Sequence, residues 1–105
     1  MNNIFMTEHF LNWIKGLKDE KGRFRILLRL RKAENGNFGD CQSLGEGVSE
    51  MRVHFGPGYR VYFGQEGKNV YLLLAGGDKG SQERDVRQAQ KLWKELKVKV
   101  HSENH

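Results

Sequence analysis

VSEMRVHFGPGYRVYF, from Val48 to Phe63, is the stretch of the chain that decides its fold. Apolar and polar residues alternate on both sides of Gly56-Pro57-Gly58, which is typical of a β-hairpin. Successive side chains of a strand point to opposite faces, so the alternation gives the hairpin one apolar face. We expect the following residues of that face to lie on the core: Met51, Val53, Phe55, Tyr59, Val61 and Phe63.

The other face of the predicted hairpin is polar and cationic. It carries Glu50, Arg52 and His54 on the first strand, and Arg60 and Tyr62 on the second. A three-residue loop would place His54 opposite Arg60 and Arg52 opposite Tyr62. Arginine, histidine and tyrosine side chains gathered on one patch are suited to contact a phosphate backbone and to stack on bases. We therefore predict the functional site on this face.

The composition limits the class of protein. A chain of 105 residues fits one domain, and a net charge of +5 with a pI near 9.5 favours a polyanionic or acidic partner. Cys41 is the only cysteine, which excludes an internal disulfide and a cysteine-based zinc cluster. The N-terminus lacks the apolar core of a signal peptide. The longest apolar run, Val70 to Ala75, is too short to cross a membrane, so we expect a cytoplasmic protein without membrane contact.

Helical spacing predicts two helices before the hairpin. Ile4 to Met6 is predicted as a short first strand, and Thr7 is placed to cap the helix that follows. The apolar residues of that helix recur at i, i+3, i+4 and i+7: Phe10, Trp13, Ile14 and Leu17. A second helix is predicted from about Arg23 to Glu34, so that the two form an αα-hairpin.

The remaining elements follow a loop predicted over Asn35 to Gly47. Asn69 to Ala75 is apolar on both faces, which predicts an interior strand. A last helix capped by Ser81 has one apolar stripe that includes Trp93. The order β-α-α-β-β-β-α describes a small α+β domain, an antiparallel sheet with its helices packed on one face and the other face open. We expect the domain to cover residues 1–98, followed by a polar tail over residues 99–105.

Four sequence blocks carry a resemblance to a known family. They are GNFGD (36–40), LGEGVSE (44–50), FGPGYRVYF (55–63) and LLLAGGDK (72–79). With these blocks in this order and spacing, the chain resembles the HigB-like "addiction module killer" branch of the RelE/ParE toxin superfamily from about Ile4 to Leu96. The resemblance implies a RelE-like fold and the toxin of a bacterial type II toxin–antitoxin pair. Its implied partner is a cognate antitoxin, a small DNA-binding protein from the adjacent gene.

The resemblance leaves more than one activity open. Most characterised relatives cut messenger RNA, commonly on the ribosome, so the expected activity is that of an endoribonuclease, an mRNA interferase that blocks translation. The ParE-like branch instead inhibits DNA gyrase as a binding module, and a degenerate toxin that only binds its antitoxin is a third alternative. The sequence offers neither a carboxylate cluster for a two-metal nuclease nor a His/Cys set for zinc. We therefore expect RNA cleavage without a metal or another cofactor.

The resemblance and the pattern together assign roles to individual residues. Arg52 and Arg60 are expected to bind the scissile phosphate and its developing charge, and Lys79 enters at the strand-to-helix turn. His54 is the candidate acid or base because histidine titrates near neutral pH. Tyr62 is expected to stack on a base or to assist proton transfer. A purely structural alternative also holds for each: a solvated cross-strand pair for Arg52 and Tyr62, an isolated surface histidine, or a turn ion pair for Lys79.

One departure from the family pattern bears on the catalytic residue. In the RNA-cutting relatives a catalytic tyrosine or histidine often follows the last strand. Here the last strand is followed by Gly76-Gly77-Asp78-Lys79 and a helix whose only aromatic residue is Trp93, on the buried stripe. His54 or Tyr62 must then take that role if the chain cuts RNA.

Overall fold

A computed structural model describes the backbone of residues 1–103 and the side chains of residues 1–97. It confirms the α+β class, with five strands and three α-helices over those residues. In chain order these are β1 (Asn3–Met6), α1 (Glu8–Gly16), α2 (Glu20–Glu34), β2 (Cys41–Gly45), β3 (Val48–Val53), β4 (Tyr59–Glu66), β5 (Val70–Asp78) and α3 (Gln82–Glu103), with one 3-10 turn at Lys79–Ser81 before α3. Strand β2 lies where a loop was predicted.

The five strands form one mixed sheet in the order β1-β5-β4-β3-β2. The expectation of an antiparallel sheet is wrong at one edge, because β1 pairs parallel with β5, Ile4 opposite Tyr71. A parallel pair needs a long connection, and the chain from α1 to β4 supplies it. Strand β5 has a neighbour on each side, which confirms the interior position predicted from its apolar character.

Helices cover both faces of the sheet, and this corrects the prediction that one face stays open. Helices α1 and α2 pack on one face, over a core that includes Phe10, Ile26 and Val61. Helix α3 packs on the other face, where Trp93 and Tyr62 belong to a second core. The apolar stripe of α3 requires a partner surface, and the apolar residues of β5 that face away from α1 and α2 provide it.

Glycines in the strands let the two tryptophans lie flat against the sheet. A Cβ atom on Gly64 of β4 would lie 2.7 Å from the ring of Trp93. A Cβ on Gly76 of β5 would clash in the same way with the ring of Trp13, on the side of α1. Larger residues at either position would push a helix off the sheet.

Two capping side chains fix the αα-hairpin to the sheet. Thr7 caps α1 as predicted, since its hydroxyl accepts from the N–H of Phe10 at 3.2 Å. Asp19 caps α2 by accepting from the N–H of Gly22 at 3.0 Å, so α2 begins earlier than predicted. The Tyr59 hydroxyl of β4 donates to the same carboxylate at 2.7 Å. Burial, followed by this hydrogen bond to a carboxylate, raises the pKa of Tyr59 to about 12.

The C-terminal end differs from the prediction in length. Helix α3 continues to Glu103 and so includes most of the predicted polar tail, whose last two residues, 104–105, lie outside the described part of the chain. None of the helices within residues 1–103 combines the length and apolar character needed to cross a lipid bilayer.

Candidate active site

The register of the hairpin differs from the predicted one because its turn is two residues longer than expected. Arg52 lies directly opposite Arg60, and Glu50 lies opposite Tyr62. The predicted pairs, His54 with Arg60 and Arg52 with Tyr62, are therefore wrong. The turn runs from residue 54 to residue 58: the N–H of Phe55 donates to the carbonyl of Val53 at 2.8 Å, and the N–H of Gly58 donates to the carbonyl of Phe55 at 3.1 Å. His54 consequently lies in the turn, beyond the end of β3.

The centre of the polar cluster is a buried carboxylate, that of Glu50, which is fully shielded from solvent. Its Oε1 accepts from Arg60 Nε at 3.0 Å and from Gln82 Nε2 at 2.9 Å. Its Oε2 accepts from Arg52 Nε at 3.2 Å. A buried carboxylate needs such partners, and here they bring β3, β4 and the first turn of α3 together.

Each arginine donates a hydrogen bond from Nε to Glu50, and other atoms of its guanidinium group remain at the surface. Arg60 is 13% exposed, and its Nη1 also donates to the carbonyl of Gly58 at 3.0 Å. Arg52 is 35% exposed, its Nη2 donates to Gln42 of β2, and its Nη1 lies 4.0 Å from Asp40. Arg60 Nη2 has no hydrogen-bond partner in the part of the chain that the structure describes, so it is free to contact an anion.

His54 forms an exposed pair with Asp40. Its Nε2 lies 2.6 Å from Oδ2 of Asp40, and the imidazole is 74% exposed. The hydrogen bond from His54, with a smaller contribution from the charge of Arg52, lowers the pKa of Asp40 below its ordinary value. If Nε2 carries the proton in the neutral ring, Nδ1 is unprotonated and can accept one. The pair therefore has the geometry of a base held by a carboxylate.

Tyr62 does not lie on an exposed face, contrary to the prediction. It is completely buried beneath α3, and its hydroxyl has no hydrogen-bond partner among the residues that the structure describes. Burial, followed by the nearby charge of Glu50, raises the pKa of Tyr62 far above its ordinary value. Tyr62 cannot stack on a base in this arrangement, because α3 occupies the space beside it.

Lys79 lies where the prediction placed it, at the turn that leads from β5 into α3, and is exposed. Gly58 lies between Lys79 and Arg60: a Cβ atom on Gly58 would come within 3.7 Å of Lys79 Cβ and 3.5 Å of Arg60 Nη1. The neighbouring Asp78 accepts from the N–H groups of Gly80 and Ser81, so its carboxylate serves as the cap of the turn. Lys79 has no hydrogen-bond or ion-pair partner within the described residues and adds a cation at the edge of the cluster.

The cluster has little excess positive charge. The carboxylates of Glu50 and Asp40 balance the guanidinium groups of Arg52 and Arg60, which leaves the charge of Lys79. The residues that the structure describes include no group of three or more His, Cys, Asp or Glu side chains placed to hold a metal ion.

Sequence reasoning missed three contributors to this cluster: Asp40, Gln82 and the bridging role of Glu50. Asp40 ends the GNFGD block, and Glu50 was already placed on the polar face, so both residues stood in recognisable positions. No sequence pattern pointed to Gln82, because its hydrogen bond to Glu50 forms only when α3 covers that face of the sheet. The long-range pairs themselves could not be deduced from spacing along the chain.

Comparison with known proteins gives one family relationship. The chain is 39% identical over 93 residues to an uncharacterized protein of Haemophilus influenzae, and the match covers 89% of this chain and 94% of that protein. The chain belongs to the same family as this Haemophilus protein. No family model matches the chain. The family relationship extends over nearly the whole domain, and therefore over all the elements that build the polar cluster.

Proposed function

We propose that this protein is the toxin of a type II toxin–antitoxin system and acts as a metal-independent endoribonuclease on messenger RNA. The sequence resemblance supplies the class of protein. The observation that carries the activity is the pair formed by His54 and Asp40 beside Arg52 and Arg60. Those side chains supply a base and two cations, the groups that RNA cleavage without a metal requires.

In the proposed reaction, the 2′-hydroxyl oxygen of the RNA attacks the adjacent phosphorus atom. Nδ1 of His54 accepts the proton of that hydroxyl, while Asp40 holds the imidazole and stabilises its positive charge. The bond from phosphorus to the 5′-oxygen breaks, and the leaving oxygen takes a proton from water; the hydroxide that remains takes the proton back from His54 and becomes water. The products are a 2′,3′-cyclic phosphate and a 5′-hydroxyl end.

The cations act on the charge that the phosphate gains during this attack. Nη2 of Arg60 is proposed to donate to the phosphate, and the guanidinium group is held in a fixed orientation because its Nε is hydrogen-bonded to the buried Glu50. A preorganised donor of this kind needs no reorganisation during the reaction, and removal of one such donor commonly lowers a rate by about 10²-fold or more. Arg52 and Lys79 are proposed to bind the flanking phosphates.

The proposed protein partner is a cognate antitoxin. The net charge of +5 favours an acidic segment, because opposite charges accelerate association and fix the orientation of the two surfaces. We expect raised ionic strength to slow the association of toxin and antitoxin more than it accelerates their dissociation.

Inhibition of DNA gyrase is a second candidate, favoured by the nearly balanced charge of the cluster and by the burial of Tyr62. A module that only binds its target needs no acid or base. The two functions differ in whether RNA is cut, and in whether loss of His54 alone removes toxicity.

Expression in a bacterium, followed by primer extension on cellular messages, tests the proposal. We expect growth arrest with cut messages and unchanged plasmid supercoiling for the wild-type protein, and intact messages with normal growth for His54→Ala. Glu66→Ala, at the far end of β4, is the matched control and should arrest growth like the wild type. Uncut messages together with altered supercoiling would replace the nuclease with the gyrase inhibitor.

A further inference from the structure

A concave surface lies beside the end of β5, outside the polar cluster. Strand β1 pairs only with residues 70–73 of β5, so the rest of β5 has α1 beside it in place of a strand. The gap between α1, the end of β5 and the start of α3 is a cleft of about 610 Å³. That volume falls within the usual range of small-molecule sites, about 300–1,000 Å³.

The walls of this cleft combine an aromatic ring with carboxamides. Trp13 of α1 is partly exposed there, supported on its other side by Gly76 of β5. Asn12 of α1 and Gln88 of α3 are exposed on the two sides of the cleft, and their side chains have no hydrogen-bond partner within the described residues. A flat ligand with hydrogen-bonding edges, such as a nucleobase, matches this combination.

A carboxylate at the floor of the cleft restricts the edge that such a base can present. Asp85 is a largely buried residue whose Oδ2 accepts from the hydroxyl of Ser81 at 2.5 Å. Its Oδ1 lies 3.6 Å from Nε of Arg84. A carboxylate only accepts hydrogen bonds, so it selects an edge with donors. Guanine has two adjacent donors, N1–H and the N2 amino group, whereas adenine has an acceptor at N1.

A row of cations leads away from the cleft along α3. The row consists of Arg84, Arg87, Lys91 and Lys94, all exposed. Their spacing of three, four and three residues places them on one face of the helix. Glu83, Asp85 and Glu95 are the acidic residues nearest to the row in sequence, and among the described residues Asp85 lies within ion-pair distance of Arg84 alone. Such a row is suited to follow the phosphates of a single strand.

We propose that the cleft binds an unpaired guanine base of RNA, stacked on Trp13 and hydrogen-bonded to Asp85, while the phosphates of the same strand follow the cationic row of α3. The inference rests on the proposed function for its RNA partner and adds a base-selective subsite to it. Gly77 of β5 pairs with Arg60 of β4, so the strand that borders the cleft and the strand that carries Arg60 are neighbours in the sheet, with backbones about 4.8 Å apart. In this proposal one RNA strand contacts both sites.

Titration of the intact protein with GMP and with AMP tests the inference, with tryptophan fluorescence as the readout. Both purines can stack on Trp13, whereas Trp93 is buried between α3 and the sheet and should not respond. We expect GMP to bind about tenfold more tightly than AMP, the discrimination typical of a bidentate base contact. Asp85→Asn should abolish this preference because an amide presents one donor and one acceptor. Glu95→Gln, which neutralises an exposed acid of the same helix, should keep it.

Several results would overturn the inference: equal affinity for GMP and AMP, a preference that survives in Asp85→Asn, or ribose 5-phosphate bound as tightly as GMP. If Asp85→Asn fails to fold, Gln88→Ala replaces it, and unchanged GMP affinity in that variant would overturn the inference. These titrations involve no cleavage. Loss of guanine binding with messages still cut would refute the subsite alone, whereas selective guanine binding with uncut messages would refute the nuclease alone.

Discussion

Arg60→Ala is a severe test of the ion-pair cluster. If the polar face of the hairpin were open to solvent, this substitution would hardly change the stability of the protein. The structure gives the opposite expectation. Arg60 is 13% exposed, and its Nε donates to a Glu50 carboxylate that has no exposure to solvent. Removing one partner of a buried ion pair typically costs about 3–5 kcal/mol, since the other charge stays buried without compensation. Glu50 keeps Arg52 and Gln82 as partners, so we place the loss near the lower end, at about 3 kcal/mol.

Urea unfolding followed by circular dichroism measures this loss. With a denaturant slope of about 2 kcal/mol per molar for a domain of this size, the unfolding midpoint should fall by about 1.5 M. Lys18→Ala removes an exposed cation away from the cluster and should change stability by no more than about 0.5 kcal/mol. Adding Glu50→Gln to Arg60→Ala should recover part of the loss, because the uncompensated charge is gone. An Arg60→Ala protein as stable as the Lys18→Ala control would refute the buried-pair interpretation.

Three further predictions concern the neighbouring titratable groups. Asp40 should titrate below its ordinary range, and its contribution to stability should be present above the unfolded pKa and be lost as pH falls through the folded one. His54→Ala should raise the Asp40 pKa, as seen by carboxyl carbon NMR, and an unchanged value would contradict the hydrogen bond. Tyr62→Phe removes a hydroxyl that has no partner within the described part of the chain, so stability should change by no more than about 0.5 kcal/mol and growth arrest should persist. Loss of toxicity at an unchanged melting temperature would instead show that the Tyr62 hydroxyl takes part in catalysis. Tyr59 should ionise only at about pH 12, so its contribution to folding stability is complete below pH 10 and is lost between about pH 10 and 12. An absorbance titration of the tyrosines checks this. In Tyr59→Phe the pKa of Asp19 should rise, since the Tyr59 hydrogen bond is the main cause that lowers it.

The sequence predicts those parts of the fold that depend on local periodicity. The hairpin alternation correctly placed Met51, Val53, Tyr59 and Val61 in one core, and Thr7 correctly marked the start of α1. Periodicity identifies an apolar face but not the element that covers it. The side of the sheet on which α3 packs was therefore predicted wrongly, although the apolar character of β5 on both faces indicated that both would be covered.

The candidate site was predicted less completely, for two physical reasons. Glu50, Arg52 and Arg60 share one face of the hairpin as predicted, yet a turn two residues longer than expected changed every cross-strand pair and left His54 outside β3. The sequence also could not predict that Glu50 and Tyr62 are buried, since they become buried only because α3 lies over them. Asp40 meets His54 through the placement of the segment before β2 next to the hairpin turn, a contact between residues distant in the chain.

The most direct test of the central proposal is the chemistry of the RNA ends that the protein produces. Purified protein is added to a translation extract with a defined message, and the fragments are analysed for terminal groups. We predict 2′,3′-cyclic phosphate and 5′-hydroxyl ends, no cut where the nucleotide before the scissile bond lacks its 2′-hydroxyl, and no fragments with His54→Ala. Fragments with 3′-hydroxyl and 5′-phosphate ends, or an intact message, would contradict RNA cleavage by His54 without a metal.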